Sequence, residues 1–188
     1  SRVRVPGDEA KVGDAEARIA DGRERRDRHP DVLDLEGAEE RRPHVDSPER
    51  PGTLIVNTGE RALLRILGEG LAMRYPVAVG KEGHDWAGIA EVGRKVPWPV
   101  WTPPAAMIAR KPELARWQNG MPGGPDNPLG ARALYLYANG RDTLFRIHGT
   151  NEPGSIGQAA SSGCIRMLNR HIEGIYEQTP LGTKVIVL

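Results

Sequence analysis

The sequence predicts a mainly β protein, a sandwich of mixed sheets with two short helices, preceded by a disordered N-terminal segment. Three observations carry that prediction. From Pro51 onward, short apolar runs alternate with turns rich in Gly and Pro. Asn139-Gly140 separates two such runs, the strongest short-range signal for a two-residue hairpin. All nine aromatic residues (four Trp, four Tyr, one Phe) fall after residue 50 of 188.

Residues 1–50 hold 11 Lys or Arg and 14 Asp or Glu with no aromatic residue. A segment charged at half its positions buries too little apolar surface to offset an ordering cost of roughly 1–2 kcal/mol per residue. It is expected to be a solvated, disordered extension, and 51–188 the folded domain. No apolar core of the signal-peptide kind follows Ser1-Arg-Val-Arg-Val-Pro.

Within 51–188, strands are expected at 53–57 (TLIVN), 62–67 (ALLRIL), 72–79 (AMRYPVAV) and 86–92. Pro76 marks the third run as an edge strand or a bulge, because proline offers no N–H to a ladder. The hairpin is expected from 133–138 (ALYLYA) and 144–148 (LFRIH), and 184–188 (KVIVL) supplies a last strand. A helix is expected at 104–110, where Pro104 suits the first turn. Another is expected at 170–178, with Asn169 as N-cap and Ile172, Ile175 and Tyr176 on one face. Residues 98–128, rich in Pro, Gly and Trp, form a long ordered loop of the kind that lines or covers a site.

The composition excludes several functions. The formal net charge is +1, so no cationic excess supports a general nucleic-acid binder. No run approaches the ~20 apolar residues of a membrane-spanning helix. One cysteine excludes an intrachain disulfide and any multi-cysteine metal centre. His29, His44, His84 and His171 are too scattered to complete a metal site with His148 and Cys164, and no metal or cofactor is implied.

The chemistry-bearing stretch is Ile147-His148-Gly149-Thr150-Asn151, followed by Ser161-Ser162-Gly163-Cys164-Ile165-Arg166-Met167. A nucleophilic Cys164 requires an imidazole within reach, thiolate stabilisation and N–H groups facing a developing oxyanion. His148 ends an expected strand, and Gly163 and Cys164 offer adjacent N–H groups in a turn. A lone cysteine in a β protein also serves as a small buried hydrophobe, so the residues alone leave catalysis and packing both open.

The stretch from Ile147 to Met167, IHGTNEPGSIGQAASSGCIRM, resembles the active-site signature of the YkuD-type L,D-transpeptidases, in their ErfK/YbiS-like branch. Further segments are similar in order: Pro51–Gly59, Val79–Gly83, Trp98–Pro104 and Met121–Gly130. The resemblance spans 51–188 and leaves 1–50 uncovered. It implies a YkuD-like sandwich with Cys164 as nucleophile, His148 as general base and Gly163 in the oxyanion turn. Arg166 would anchor a substrate carboxylate or hold the turn. Ser162 stands where many members carry a second His, and Gly149 follows the base with no side chain to orient it, leaving that task to a backbone carbonyl. Ser162, Gly149 and Trp101 are candidate cleft residues; Arg132 and Arg146 are candidates for substrate charge or for a solvated strand face.

The implied reaction is attack of Cys164 on a peptidoglycan tetrapeptide stem. The terminal D-Ala leaves, and the acyl group passes to a stem amine or a lipoprotein lysine. Carbapenems are the implied inhibitors, and the periplasm or cell envelope the implied location. Two alternatives remain: a hydrolase using water as acceptor, and a non-catalytic wall-binding domain with an inert Cys164.

Overall fold

A computed structural model describes residues 44–81, 86–161 and 163–188. The strands are β1 (Leu54–Asn57), β2 (Ala62–Gly68), β3 (Leu71–Pro76), β4 (Val79–Gly80), β5 (Gly88–Pro97), β6 (Arg132–Ala138), β7 (Arg141–His148), β8 (Ala159–Ser161), β9 (Ile165–Arg166) and β10 (Lys184–Val187). The helices are α1 (Ala105–Arg110) and α2 (Asn169–Gln178), with 3-10 turns at Pro112–Trp117 and Pro153–Ser155.

Eight strands form one mixed sheet in the order β3-β2-β1-β10-β5-β6-β7-β9, and β4 pairs with β8. The large sheet curls. Just past the β3 edge, Ala78 exchanges two 2.9 Å backbone hydrogen bonds with Arg166 of β9, the opposite edge. The two-residue strand β9 is therefore held on both sides, by β7 and by Ala78. The mainly β class with mixed sheets stands, and its layers arise mostly from one sheet folding back on itself.

The near-continuous apolar runs of β1 and β10 follow from burial on both faces. Leu54, Val56, Val185 and Val187 face the main core, which α2 closes with Ile172 and Ile175. Ile55, Leu64, Ile66 and Ile186 face a second, smaller core on the reverse side. Val45 completes that second core, its N–H donating to Gly70 O at 2.7 Å, while Glu49 pairs with Lys184 Nζ at 3.0 Å. Residues 44–50 therefore pack against the domain expected to begin at Pro51. One buried valine, worth about 1.5–3 kcal/mol, outweighs the charge of its neighbours. The rest of the extension, 1–43, lies outside the described residues.

Pro76 ends β3, an edge strand, and the run expected to continue to Val79 breaks there. The hairpin turns at Asn139 (φ 51°) and Gly140 (φ 71°), the paired positive angles of a type I′ turn. β5 runs on to Pro97 beyond its expected end, with a register irregularity between Val92 and Arg94. Within 98–128, the Asn127 side-chain amide donates to the carbonyls of Pro99, Met121 and Pro122 at 3.0–3.1 Å, fastening the excursion.

Candidate active site

The position of His148 follows from strand register. β7 and β9 are parallel, pairing Ile147 with Ile165 and His148 with Arg166. Register partners present their side chains to the same face, and successive residues alternate. Ile147 and Ile165 enter the main core, so His148 and Arg166 face the opposite side. Cys164 comes immediately before β9, where the Arg146 backbone N–H faces its thiol. By the same alternation Cys164 falls on the face of His148 and Arg166.

His148 is buried, and its Nδ1 lies 2.6 Å from Gly149 O. A carbonyl oxygen only accepts, so Nδ1 carries the proton and the neutral ring presents Nε2 as a free base. Burial pushes His148 down to about 4; the Gly149 bond opposes this, and the charges of Arg166 and Arg146 add to the lowering. Burial likewise pushes the Cys164 thiol up, against the Arg146 N–H and the charges of Arg146 and Arg166. At neutral pH the two groups form an uncharged thiol and imidazole.

The segment after His148 is fixed by Asn169. Its Oδ1 accepts the backbone N–H groups of Ala131 and Thr150, both at 3.1 Å. Asn169 therefore does not cap α2: it is the helix's first residue, Leu168 is the N-cap, and no side chain caps that end. Two buried tertiary donors have won the amide oxygen from the local capping site. Gly130 and Gly149 make the close approach possible, since a Cβ on either would lie 2.3 or 2.1 Å from Asn169 Oδ1. Gly149 is itself buried, so packing accounts for it, and its carbonyl rather than a substrate contact is what it brings to the site.

Around Cys164, Ser161 Oγ donates to Cys164 O at 2.5 Å and accepts the Gly163 N–H at 3.2 Å. Gly163 takes a φ of 126° that disfavours any side chain. Its N–H is engaged within the turn by Ser161 Oγ. Ser162 lies outside the described residues. Arg166 sits on β9 with an ion pair to Glu152 at 3.5 Å. Trp101 pairs with Met121 through two backbone bonds at the base of the 98–128 excursion, and among the described residues no hydrogen bond or ring contact joins it to His148 or Cys164.

Arg146 is not a loose surface cation. Asp142 grips it through two bonds, at 2.6 and 3.0 Å, and its guanidinium stacks on Tyr135 at 4.2 Å. Arg132 donates to Ala131 O and stands over the Tyr176 ring. Asn169, Asp142, Ser161 and Glu152 were missed as site residues. Of these, Ser161 stood in the Ser-x-Gly-Cys segment without a role assigned to it, and Asn169 was marked only as a polar residue between the cysteine segment and an apolar-striped helix. Among the described residues, no three His, Cys, Asp or Glu side chains are grouped to hold a metal ion. A cleft of about 900 Å³ between Pro48–Thr53, the end of β2 and the start of β10 contains none of the site residues.

Residues 51–187 match the YkuD family, described as the L,D-transpeptidase catalytic domain. The chain belongs to that family. The Escherichia coli K12 protein "Probable L,D-transpeptidase YbiS" is 36% identical over 138 residues, covering 70% of this chain and 43% of the relative. The chain thus spans less than half the length of that relative. A solved structure described as "a Probable carnitine operon oxidoreductase caia" from Brucella melitensis is 40% identical, with a TM-score of 0.53, covering 84% of this chain and 96% of the other. Its description differs in chemistry from the family that the present chain matches. L,D-transpeptidase 3 from Mycobacterium tuberculosis, solved in complex with a faropenem-derived adduct, shares the fold at 14% identity and a TM-score of 0.52, covering 73% and 60%. The family resemblance first seen in the His-Gly and Ser-x-Gly-Cys segments is thereby established for the chain.

Proposed function

We propose that this YkuD-family chain is a cysteine L,D-transpeptidase that carries its acyl intermediate on Cys164. The observation that supports the reading is the β7–β9 register, which sets Cys164 beside a His148 whose Nδ1 is tied to Gly149 O. In the forward step His148 Nε2 takes the Cys164 proton as sulfur attacks the carbonyl preceding the terminal D-Ala of a tetrapeptide stem. The C–N bond breaks, the imidazolium returns its proton to the departing D-Ala amine, and a thioester remains. A stem amine or a lipoprotein lysine then attacks that thioester and frees the thiol.

Because the Gly163 N–H is bound to Ser161 Oγ, the Cys164 N–H is the turn's donor for the oxyanion. A nearly neutral resting pair suits this chemistry: the base is unprotonated at working pH, and the charges of Arg146 and Arg166 favour the thiolate as it forms. The substrate places the working protein in the periplasm or cell envelope.

Intact mass after incubation with a carbapenem tests the reading. The expected result is one adduct per chain, absent in Cys164→Ala and strongly slowed in His148→Ala. An unmodified, folded wild-type chain would sink the acyl-enzyme proposal. Supplying a tetrapeptide with and without an amine acceptor then separates transfer from hydrolysis: tripeptide as sole product in both would make the protein a hydrolase.

A further inference from the structure

The face that carries Cys164 also carries a row of paired side chains leading away from it. Arg94 on β5 is the register partner of Tyr135 on β6, and Tyr135 that of Arg146 on β7. Just before β9, the Cys164 thiol faces the Arg146 backbone N–H. Both guanidinium groups stack on Tyr135, Arg146 at 4.2 Å and Arg94 at 5.0 Å from the ring centroid. The two cations differ in what holds them. Arg146 has its fork filled by Asp142. Arg94 is exposed; its charge bears on Asp142, and among the described residues no salt bridge or hydrogen bond fills its fork.

The row has a length. Neighbouring strands lie about 4.8 Å apart, and the Arg94 guanidinium lies over Tyr135 of β6, so it stands two spacings, roughly 10 Å, from β9. At about 3.4 Å per extended residue, that is about three residues of peptide, the length of the stem on the acyl side of the scissile bond. An acyl donor with its scissile carbonyl at Cys164, lying across the strands, brings an internal carboxylate over the free fork of Arg94. There it meets a planar, pre-oriented donor suited to bidentate binding. The Asp142–Arg146 pair holds one face of Tyr135 and, with its fork filled, offers no free donor short of Arg94.

We propose that Arg94, stacked on Tyr135, is the anchor for a carboxylate of the acyl-donor peptide. This rests on the transpeptidase reading above and adds the group that sets donor specificity. The test is binding without turnover, by calorimetry on the full chain carrying Cys164→Ala. The probes are a tetrapeptide stem and the same peptide with its internal carboxylates amidated. Adding Arg94→Ala is expected to weaken the carboxylate peptide about tenfold and the amidated one less than twofold, with an unchanged thermal midpoint. Arg94→Lys should fall between, keeping the charge but losing the fork. Equal weakening of both peptides, no weakening of either, or no binding by the unaltered row overturns the proposal. Failure of the wild-type chain to take a carbapenem adduct while the peptide still binds through Arg94 would overturn the chemistry and leave this site standing.

Discussion

Asn169→Ala is the substitution that most directly tests how the site is held. The Asn169 oxygen accepts two buried N–H groups, those of Ala131 and Thr150. Truncation leaves both without a partner, and a buried unsatisfied donor costs about 1–3 kcal/mol. Partial entry of water into the space recovers some of this, so a loss of about 3 kcal/mol is expected. For a domain of this size that lowers the thermal midpoint by roughly 6–12 °C. Asn169→Asp keeps an oxygen in place at a helix start, where negative charge is tolerated, and should stay within about 1 kcal/mol of wild type. Function should follow: with Thr150 released, the Gly149 carbonyl drifts from His148 Nδ1 and the base loses its orientation. Carbapenem acylation should slow about 10- to 100-fold, the range that small misplacements of a reacting group produce. Urea unfolding and acylation rates on the same preparations decide it. A cost below about 0.5 kcal/mol for the alanine variant, or an aspartate variant as damaged as the alanine one, would refute the bracket.

Three further outcomes are expected. His148 and His171 are both buried and both lowered by burial to about 4 from 6.5, so the unfolded chain gains their protons first as pH falls. Their neutral-state stability is fully present above pH 6.5 and is lost toward pH 4, up to about 3 kcal/mol for His148 at 1.36 kcal/mol per unit and less for the less deeply enclosed His171; a urea midpoint unchanged between pH 7 and pH 4.5 would refute this. The acylation rate should stay level from pH 7 to about 5 and fall only near pH 4, where His148 takes a proton; a fall centred near 6.5 in stopped-flow measurements would point to a solvated base instead. Val45→Ala should destabilise the protein by about 1–2 kcal/mol through the small reverse core, whereas Glu49→Ala, which removes the pairing with Lys184, should cost less than about 1 kcal/mol, both read from chemical denaturation.

What the sequence made legible was whatever rests on local chemistry. Runs such as TLIVN and KVIVL are apolar throughout because both their faces are covered, and the Asn139-Gly140 turn needs two positive φ angles that those residues supply cheaply. The expected helices are present, α1 entered through Pro104 and α2 with its Ile172–Ile175 face inward. The His-Gly and Gly-Cys segments were singled out, and the register shows them meeting on one face.

Other features were hidden because they depend on distant partners. β8 and β9 hold three and two residues, too few for any periodicity, and exist because β4, β7 and Ala78 stand beside them. Asn169 has the composition of a cap, and only the fold reveals the two N–H groups that compete for it. Val45 sits in a charged stretch whose average obscured one well-placed apolar contact. The Arg94–Tyr135–Arg146 row could not be read from spacing, because it spans three strands and passes irregularities in register at both pairings.

The same long-range dependence explains why a reactive group can stand on so small an element. Two residues of strand cannot hold a position by themselves, and an edge strand would leave one side of β9 unpaired. The curl removes that weakness: Arg166 gives its N–H and carbonyl to Ala78, while Met167 donates to His148 O at 2.8 Å. With both flanks of β9 paired, the Ser161–Cys164 turn has one remaining freedom, and the Ser161 hydroxyl removes it by binding both Gly163 and Cys164. Sulfur is thus set relative to β7 by backbone bonds, and the imidazole by the carbonyl that follows it. For the proposed mechanism, placement by main-chain geometry supplies a base without a carboxylate partner: the Gly149 oxygen fixes the tautomer without adding a charge, so the buried ring stays neutral, the state that the proposed proton transfer from Cys164 requires.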